Sequence, residues 1–217
     1  MYPRRLPPTL GRQLQMLRAT VEKLGDDHSR RINDFHLALW QIEESCRQAL
    51  QVAVGYPDEL GLATVPTEVL NLLTELKKES TSLDKYIHVT VESILYTEIE
   101  SLEESWRLDN VDIRAVTDEL TDIFNELGES RVEYESFMNN LLKIVDDFQT
   151  KAEKAASDTY QTFPVIPLIR NNIKSIHDCT ECQMMIIGDN VTSLIWELQL
   201  KDTDEEIFRK VTISTDK

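Results

Sequence analysis

Two cysteines and a histidine are the residues of this 217-residue sequence that come closest to a chemical motif. His177, Cys179 and Cys182 form the pattern H-x-C-x-x-C, which offers at most three clustered metal ligands. A structural zinc site needs four ligands, and the third cysteine, Cys46, is remote in sequence. A redox pair would lie at the start of a helix, where a thiolate is stabilised, but this pattern falls inside a predicted helix. The sequence therefore predicts ordinary reduced thiols, with zinc binding and redox chemistry as the alternatives.

The other candidate sites lack the spacing that catalysis or metal binding requires. None of the four histidines follows a glutamate by three residues, so the Glu-x-x-His pairs of di-iron bundles are absent. The zinc-protease, serine-hydrolase and phosphate-loop motifs are absent as well. Residues 202–206 begin like a calcium loop, but Ile213 occupies the position that needs a bidentate glutamate. We predict that the chain is not an enzyme and that it has no metal, no cofactor and no small-molecule substrate.

Long helices must position these residues, because the composition is poor in the turn-forming residues that an all-β fold needs. Six glycines and seven prolines are too few for the many short turns of an all-β fold. Apolar residues recur at alternating steps of three and four, the heptad spacing of helices that pack along a seam. The predicted elements are a flexible basic arm over residues 1–8, a helical domain over 9–200 with helices at about 9–54, 67–107, 111–160 and 167–200, and an irregular acidic tail over 201–217.

The first predicted helix has an irregularity near its middle. Its apolar stripe passes from Leu24 to Ile32 through His28 in two steps of four, which is a stutter in the heptad pattern. Gly25 lies at the start of this stretch, where a helix can bend or end. We expect one continuous helix through Gly25.

Two other helices have polar residues on their apolar stripes. Ser80 interrupts the stripe of the second helix, which we expect to resume and to bury Ile94 farther along. Thr180 and Gln183 fall on the stripe of the last helix. The tryptophans are predicted to anchor the core or an interface: Trp40, Trp106 and Trp196.

The third predicted helix has the most regular pattern in the sequence. Steps of three and four from its start meet eleven positions, and Ser130 is the only one that is not apolar. Five heptads in one phase indicate a helix with a sustained partner along its length. The residues predicted to contact that partner are Ile113, Val116, Leu120, Ile123, Leu127, Tyr134, Phe137, Leu141, Ile144 and Phe148.

Together the helices predict an all-α fold, an elongated helical bundle or coiled coil of about four long antiparallel helices. At 1.5 Å per residue, the third helix alone is roughly 70–75 Å long. Two arrangements fit the pattern equally: a closed up-down bundle, and an open one that completes its core with another chain.

The charge is strongly negative and unevenly distributed. The net charge is −16, and residues 1–31 hold seven basic residues against three acidic ones, which leaves −20 for the rest. A body with this charge repels phosphate backbones and anionic lipids, so nucleic-acid and membrane binding are disfavoured. A basic end could contact an acidic partner such as a microtubule, or it could be a solvated helix face. The candidate contacts are Arg4, Arg5, Arg12, Arg18, Arg30 and Arg31.

The cysteine content and the hydropathy pattern bear on location. Three cysteines are too few for a disulfide scaffold, which favours a reducing compartment. The basic N-terminal residues are not followed by an apolar stretch typical of a secretory signal, and no apolar run approaches the length of a bilayer span. We expect a cytoplasmic protein, associated with the cytoskeleton or spindle, or a nuclear one.

The pattern favours a structural role. We predict a non-enzymatic scaffold subunit of a multi-protein coiled-coil assembly, in the cytoskeletal or chromosome-segregation style of the spindle, microtubules or kinetochore. Its partners would be other coiled-coil proteins or copies of itself. The predicted architecture looks like that of subunits of augmin and outer-kinetochore complexes, although no motif carries this analogy. The alternative is a membrane-trafficking tether subunit or a BAR-like helical dimer, which strong salt-sensitive binding to liposomes would favour.

Overall fold

A computed structural model describes four stretches of the chain. The backbone is described for residues 8–55, 67–106, 112–159 and 166–215, and the side chains for 10–45, 69–106, 112–151 and 167–203. Every residue of these backbone ranges except Asp112 is helical, and none of them is in a strand.

Four long helical runs make up the fold. The helices are α1 (Pro8–Gly55), α2 (Thr67–Tyr86), α3 (Ser93–Trp106), α4 (Ile113–Thr159) and α5 (Ile166–Thr215), and a π-helical segment (Ile87–Glu92) joins α2 to α3. The predicted all-α helical bundle is therefore confirmed. Its coiled-coil character stays a prediction.

The helix ends lie within two residues of the predicted ones wherever the chain is described, except at the end of α5. Asp112 caps the N-terminus of α4, because its side-chain Oδ1 accepts a hydrogen bond from the backbone N–H of Arg114 at 3.0 Å. Pro167 is in the first turn of α5, where its missing N–H costs nothing. The links at 56–66, 107–111 and 160–165, and most of the basic arm, lie outside the described residues.

The irregular tail predicted over residues 201–217 is wrong for residues 201–215, the part of it that the structure describes. The helix α5 continues to Thr215. No glycine or proline follows Gly188 in the sequence, so no strong helix-breaking residue type is present to stop it. The short alternation around Val211 and Ile213 suggests a strand, but it is too brief to overcome the helical context.

The chain forms two compact units, each with four helical segments. The first unit comprises Met1–Gly25, His88–Arg131 and Glu181–Lys217, and the second comprises Asp26–Ile87 and Val132–Thr180. Helices α1, α4 and α5 contribute residues to both units, whereas α3 belongs to the first alone.

In the first unit α1 lies between α3 and α5, and α5 also packs on α4. For α4 and α5, and for α1 and α3 when the approach of Gly25 to Glu92 is included, the paired residue numbers rise on one helix as they fall on the other, so each of these two pairs is antiparallel. The polar contacts that define this arrangement are Arg18–Glu103 at 3.1 Å, Gln13–Glu197 at 2.6 Å, Arg131–Glu181 at 3.0 Å and Arg114–Asp202 at 3.5 Å. The core between the helices includes Leu14, Leu17, Val21, Leu95, Ile99, Leu120, Ile123, Val191 and Leu194, each at most 2% exposed.

In the second unit α1 lies between α2 and α5, and α4 lies between the same two helices. The contacts are His36–Ser80 and Glu43–Lys77 for α1 and α2, Arg31–Ser175 for α1 and α5, Tyr86–Phe137 for α2 and α4, and His177–Glu135 for α4 and α5. Where two contacts join the same pair of helices, their numbering is again antiparallel. The contacts of the second unit therefore join α1, α2, α4 and α5 in a ring, as in a four-helix bundle, whereas those named for the first unit link α3, α1, α5 and α4 in a row.

Within the first unit Gly25 lies directly against the side chain of Glu92. A Cβ atom at position 25 would overlap the Glu92 carboxylate, which also contacts Nδ1 of His88 one turn earlier on its own helix. The helix α1 continues through this point, as predicted. Gly25 is therefore a point of close side-chain approach and not a helix end.

Replacing Gly25 tests that close approach. Alanine is better than glycine in a helix by about 1 kcal/mol, so Gly25→Ala should stabilise the chain by that amount in a Glu92→Ala background. In the wild-type background we expect a smaller gain, because the Glu92 side chain must rotate away and give up its contact with His88. Urea unfolding of the four proteins measures the difference. Equal gains in both backgrounds would contradict the contact.

Candidate functional site

The residues predicted to contact a partner lie mainly in the chain's own core. Nine of the ten are buried, with exposures from 0% to 8% in the isolated chain: Ile113, Val116, Leu120, Ile123, Leu127, Tyr134, Leu141, Ile144 and Phe148. The five up to Leu127 fill the interior of the first unit, and the four from Tyr134 onward fill that of the second. In this conformation they offer no surface to another chain, so a partner must contact other residues.

The tenth residue, Phe137, shows a shift in the stripe. Its side chain is half-buried against the ring of Tyr86, with ring centroids 5.2 Å apart, while Met138 is 1% exposed. The pattern steps by seven from Leu127 to Tyr134, whose hydroxyl reaches the backbone carbonyl of Ile176 at 3.4 Å. The three-four alternation therefore changes phase at this point of α4.

The basic residues predicted to contact an acidic partner are mostly paired within the chain. Arg18 binds Glu103 and stacks over the ring of Tyr96 at 4.4 Å, Arg30 binds Asp27 on its own helix, and Arg31 donates to Ser175. Arg12 is exposed and has no ion pair with the described residues. Arg4 and Arg5 lie outside the described residues.

The cysteine motif is not assembled into a metal site by the residues of one unit. Cys179 is half-buried and Cys182 is exposed, and both are free thiols. The imidazole of His177 points at carboxylates and not at sulfur, with Nε2 at 2.9 Å from Glu135 and Nδ1 at 3.5 Å from Asp178. Within neither unit does the described part of the chain bring three His, Cys, Asp or Glu ligands together.

A buried polar cluster in the second unit joins two residues that interrupt the apolar stripes of different helices, His28 of α1 and Thr180 of α5. His28 is 1% exposed, and its Nδ1 lies 2.9 Å from the hydroxyl of Thr180, which is also 1% exposed. On the other side, Nε2 of His28 lies 4.0 Å from Asp84, which accepts a hydrogen bond from Ser29 at 3.3 Å. The contact gives Nδ1 of the imidazole and the hydroxyl a partner in a core where an unpaired polar atom would be costly.

A second polar pair joins Ser80, which interrupts the stripe of α2, to a histidine of α1. Nε2 of His36, which is half-buried on α1, lies 2.7 Å from the hydroxyl of Ser80, and Ser80 donates to the backbone carbonyl of Lys77 at 3.1 Å. Because the hydroxyl proton is used in that way, we assign the neutral imidazole as the donor through Nε2. Burial lowers the pKa of His36; the Asp84 carboxylate opposes this effect and the Lys77 ammonium adds to it.

The lowered pKa of His36 predicts a pH dependence of stability. Above the usual histidine value of 6.5 the imidazole is neutral in both states and contributes nothing. As the pH falls through 6.5, the unfolded chain takes up a proton that the folded chain resists, so the free energy of unfolding decreases until the pH is below the folded-state pKa. Urea unfolding between about pH 7.5 and 5.5 should show this loss. A His36→Gln variant should show a flatter profile; an unchanged profile would contradict the assignment.

An acidic cluster lies between α3 and α4 in the first unit. Burial raises the pKa of Glu126, and the negative charges of Glu98, Asp122 and Glu129 raise it further; burial and Glu98 do the same for Glu119. A carboxyl with a raised folded-state pKa takes up its proton more readily in the folded chain, so stability rises as the pH falls through that pKa. The cluster therefore consists of carboxylates close enough to repel one another.

Two helix faces expose large apolar side chains that the sequence does not identify as exposed. In the second unit, Leu37 and Trp40 on α1 are 55% and 56% exposed. In the first unit, α5 exposes four such side chains over about four turns: Met185 (52%), Ile186 (41%), Trp196 (63%) and Leu200 (61%). The tryptophans predicted to lie in the core or at an interface thus include two that lie on the surface of the isolated chain.

Comparisons with known proteins find no relative of this chain. The chain matches no protein-family model, no curated protein and no solved structure. None of its described helices is both long enough and apolar enough to cross a membrane.

Proposed function

We propose that the chain is a non-enzymatic structural subunit that joins other helical proteins in a multi-protein assembly of the cytoskeletal or chromosome-segregation type. The observation that supports this most is the exposure of large apolar side chains on helix faces of a bundle whose core is already filled. Contiguous exposed apolar patches mark protein-interaction sites in proteins of this kind. The proposed subunit uses its outer helix faces for assembly and keeps the stripe of α4 for its own core.

The charge supports protein partners over nucleic acid or lipid. The net charge of −16 opposes binding to phosphate backbones and anionic headgroups. The acidic cluster on α3 and α4 is consistent with the same preference. We propose coiled-coil or helical proteins as partners, with the cytoskeleton, the spindle or the nucleus as the place of assembly.

Affinity purification of the full chain, followed by gel filtration and identification of the co-eluting proteins, tests this proposal. We expect a defined set of helical proteins in fixed ratio to the chain, retained at physiological salt. A chain that elutes alone would contradict the proposal. Strong salt-sensitive sedimentation of the isolated chain with anionic liposomes would instead favour a membrane-trafficking tether or a BAR-like protein.

A further inference from the structure

The buried stripe that runs from α2 into α3 has a spacing that a regular α-helix does not keep on one side. The stripe passes through the π-helical segment Ile87–Glu92, and from Leu83 to Ile99 it advances by four residues at every step. At 100° per residue in an α-helix, four such steps would turn the side chains through roughly 160°, whereas a buried stripe is about 100° wide. The buried residues are Leu83, Ile87, Val91, Leu95, Ile99 and Leu102.

A regular α-helix through this point would turn the polar side of α3 inward. Continued from Leu83 and Ile87 at about 100° per residue, it would bring four other residues to the same side: Thr90, Ile94, Glu98 and Ser101. Three of these four are polar, and burial of the Glu98 carboxylate without a partner would be costly. In the structure Ile94 is instead 41% exposed, and the residue that follows it is buried.

The π-helical segment supplies the rotation that the stripe requires. Its backbone hydrogen bonds join residues five apart in place of four, so one turn of the helix takes up one additional residue. That residue shifts the phase of α3 by about 100° relative to a regular helix. Val89, in the middle of the segment, is 60% exposed, so the additional residue does not occupy the core.

The close approach of Glu92 to Gly25 also depends on this phase. The Glu92 carboxylate lies where a Cβ atom of residue 25 would be, within the first unit. In a regular α-helix that turned Ile94 inward, Glu92 would lie two residues earlier and roughly 160° away, nearly opposite the inward side. The absence of a side chain at Gly25 therefore leaves room for a carboxylate that the π-helical phase places there.

We propose that the π-helical segment is a built-in one-residue phase shift, which turns the apolar side of α3 into the core of the first unit and leaves Val89 and Ile94 outside. The inference goes beyond the proposed function and does not depend on it. If the segment holds one residue more than a regular helix needs, removing an exposed residue there should give an α-helix with the same buried side chains. Counted without Val89, the buried residues from Leu83 to Leu102 follow steps of four, three, four, four and three, the repeat of an α-helix.

Deletion of Val89 from the full chain is the first test. The variant should keep the helix content of the wild type by circular dichroism and should melt within about 4 °C of it, because no buried residue changes its phase. The amides of residues 88–92 should exchange with deuterium more slowly than in the wild type, since a regular helix replaces the π-helical turn.

The helix α4 offers a matched control for this deletion. Val132 is an exposed valine in the middle of a regular helix, so deleting it turns every later core residue of α4 by about 100°. This variant should lose helix content or melt at least about 10 °C below the wild type, because several buried side chains leave their positions. Equal losses for the two deletions, or no loss for either, would overturn the proposal.

Two substitutions test the phase without removing a residue. Leu95 is 2% exposed and Ile94 is 41% exposed, so Leu95→Ala should lower the melting midpoint by at least about 5 °C and Ile94→Ala by less than half as much. The Val89 deletion should show the same order, because it keeps the same residues buried. A larger loss for Ile94→Ala than for Leu95→Ala in the full chain would mean that the helix is regular at this point, and the proposal would fail.

Discussion

Leu141→Asp is expected to unfold the second unit or to leave it only marginally stable. Leu141 is 0% exposed in the core of that unit, so the substitution places a carboxylate among apolar side chains and removes the leucine's own packing. Loss of a buried leucine costs about 2–5 kcal/mol before the charge is considered, against a total stability of about 5–15 kcal/mol for a domain. Circular dichroism during thermal and urea unfolding should show a large loss of helix or a strongly lowered midpoint.

The same helix provides the control for this substitution. Val132 on α4 belongs to the same unit and is 74% exposed, so Val132→Asp adds the same charge without burying it. Surface substitutions of this kind usually change stability by less than about 0.5 kcal/mol. Val132→Asp should therefore unfold close to the wild-type midpoint.

The comparison also separates two explanations of the α4 stripe. If Leu141 contacts another chain and not its own core, Leu141→Asp should stay folded like Val132→Asp and lose only its partner. If Leu141 belongs to the core, the variant loses structure even in pure dilute protein. We expect the second result, and the first would show that the described packing of α4 is not the one the protein adopts.

The apolar stripe of α4 shows what a sequence pattern can predict and what it cannot. The three-four spacing from Ile113 to Phe148 predicts a helix and a covered stripe along it, and nine of the ten side chains are buried in the isolated chain. Spacing alone does not say which helix covers them. A seam against other helices of the same chain and a seam against another protein require the same residues at the same steps.

Two predictions, the burial of Ile94 and the end of α5, are wrong for local physical reasons. Ile94 is 41% exposed, and Leu95 takes its place at 2%, because the π-helical segment just before it holds an additional residue and rotates the helix that follows. A one-residue shift of this kind leaves no clear mark in composition. The end of α5 is predicted too early because the short alternation around Val211 and Ile213 suggests a strand, whereas the residues after Gly188 contain no glycine or proline that would stop the helix.

The polar interruptions were visible in the sequence, but their pairing was not. His28 and Thr180 are 152 positions apart, and His36 and Ser80 are 44 apart. His28, Thr180 and Ser80 each interrupt an apolar stripe, whereas His36 lies off the stripe of its helix. In the fold each histidine lies beside a hydroxyl on a neighbouring helix. A polar residue that interrupts the stripe of one helix therefore lies within hydrogen-bond distance of a side chain of another.

The His28–Thr180 contact should have a measurable coupling energy. In Thr180→Val the imidazole of His28 loses the hydroxyl that lies 2.9 Å from Nδ1 while it remains in the core, which should cost about 1–3 kcal/mol. In His28→Leu the hydroxyl of Thr180 loses the imidazole instead. The double variant has no polar group left to satisfy at this contact, so it should lose less than the sum of the single variants by about 0.5–3 kcal/mol.

Urea unfolding of the four proteins gives the coupling directly. Thr74→Val is a suitable control, because Thr74 belongs to the same unit but is exposed, with its hydroxyl donating to the Leu70 carbonyl of its own helix. It should change stability little and should be additive with His28→Leu. If Thr180→Val is additive with His28→Leu within about 0.3–0.5 kcal/mol, the two groups do not interact and the polar cluster does not help hold α1 against α5. A coupling found for Thr180 and absent for Thr74 would show that the interruptions in the two stripes are a matched pair, which determines how the helices of the second unit align.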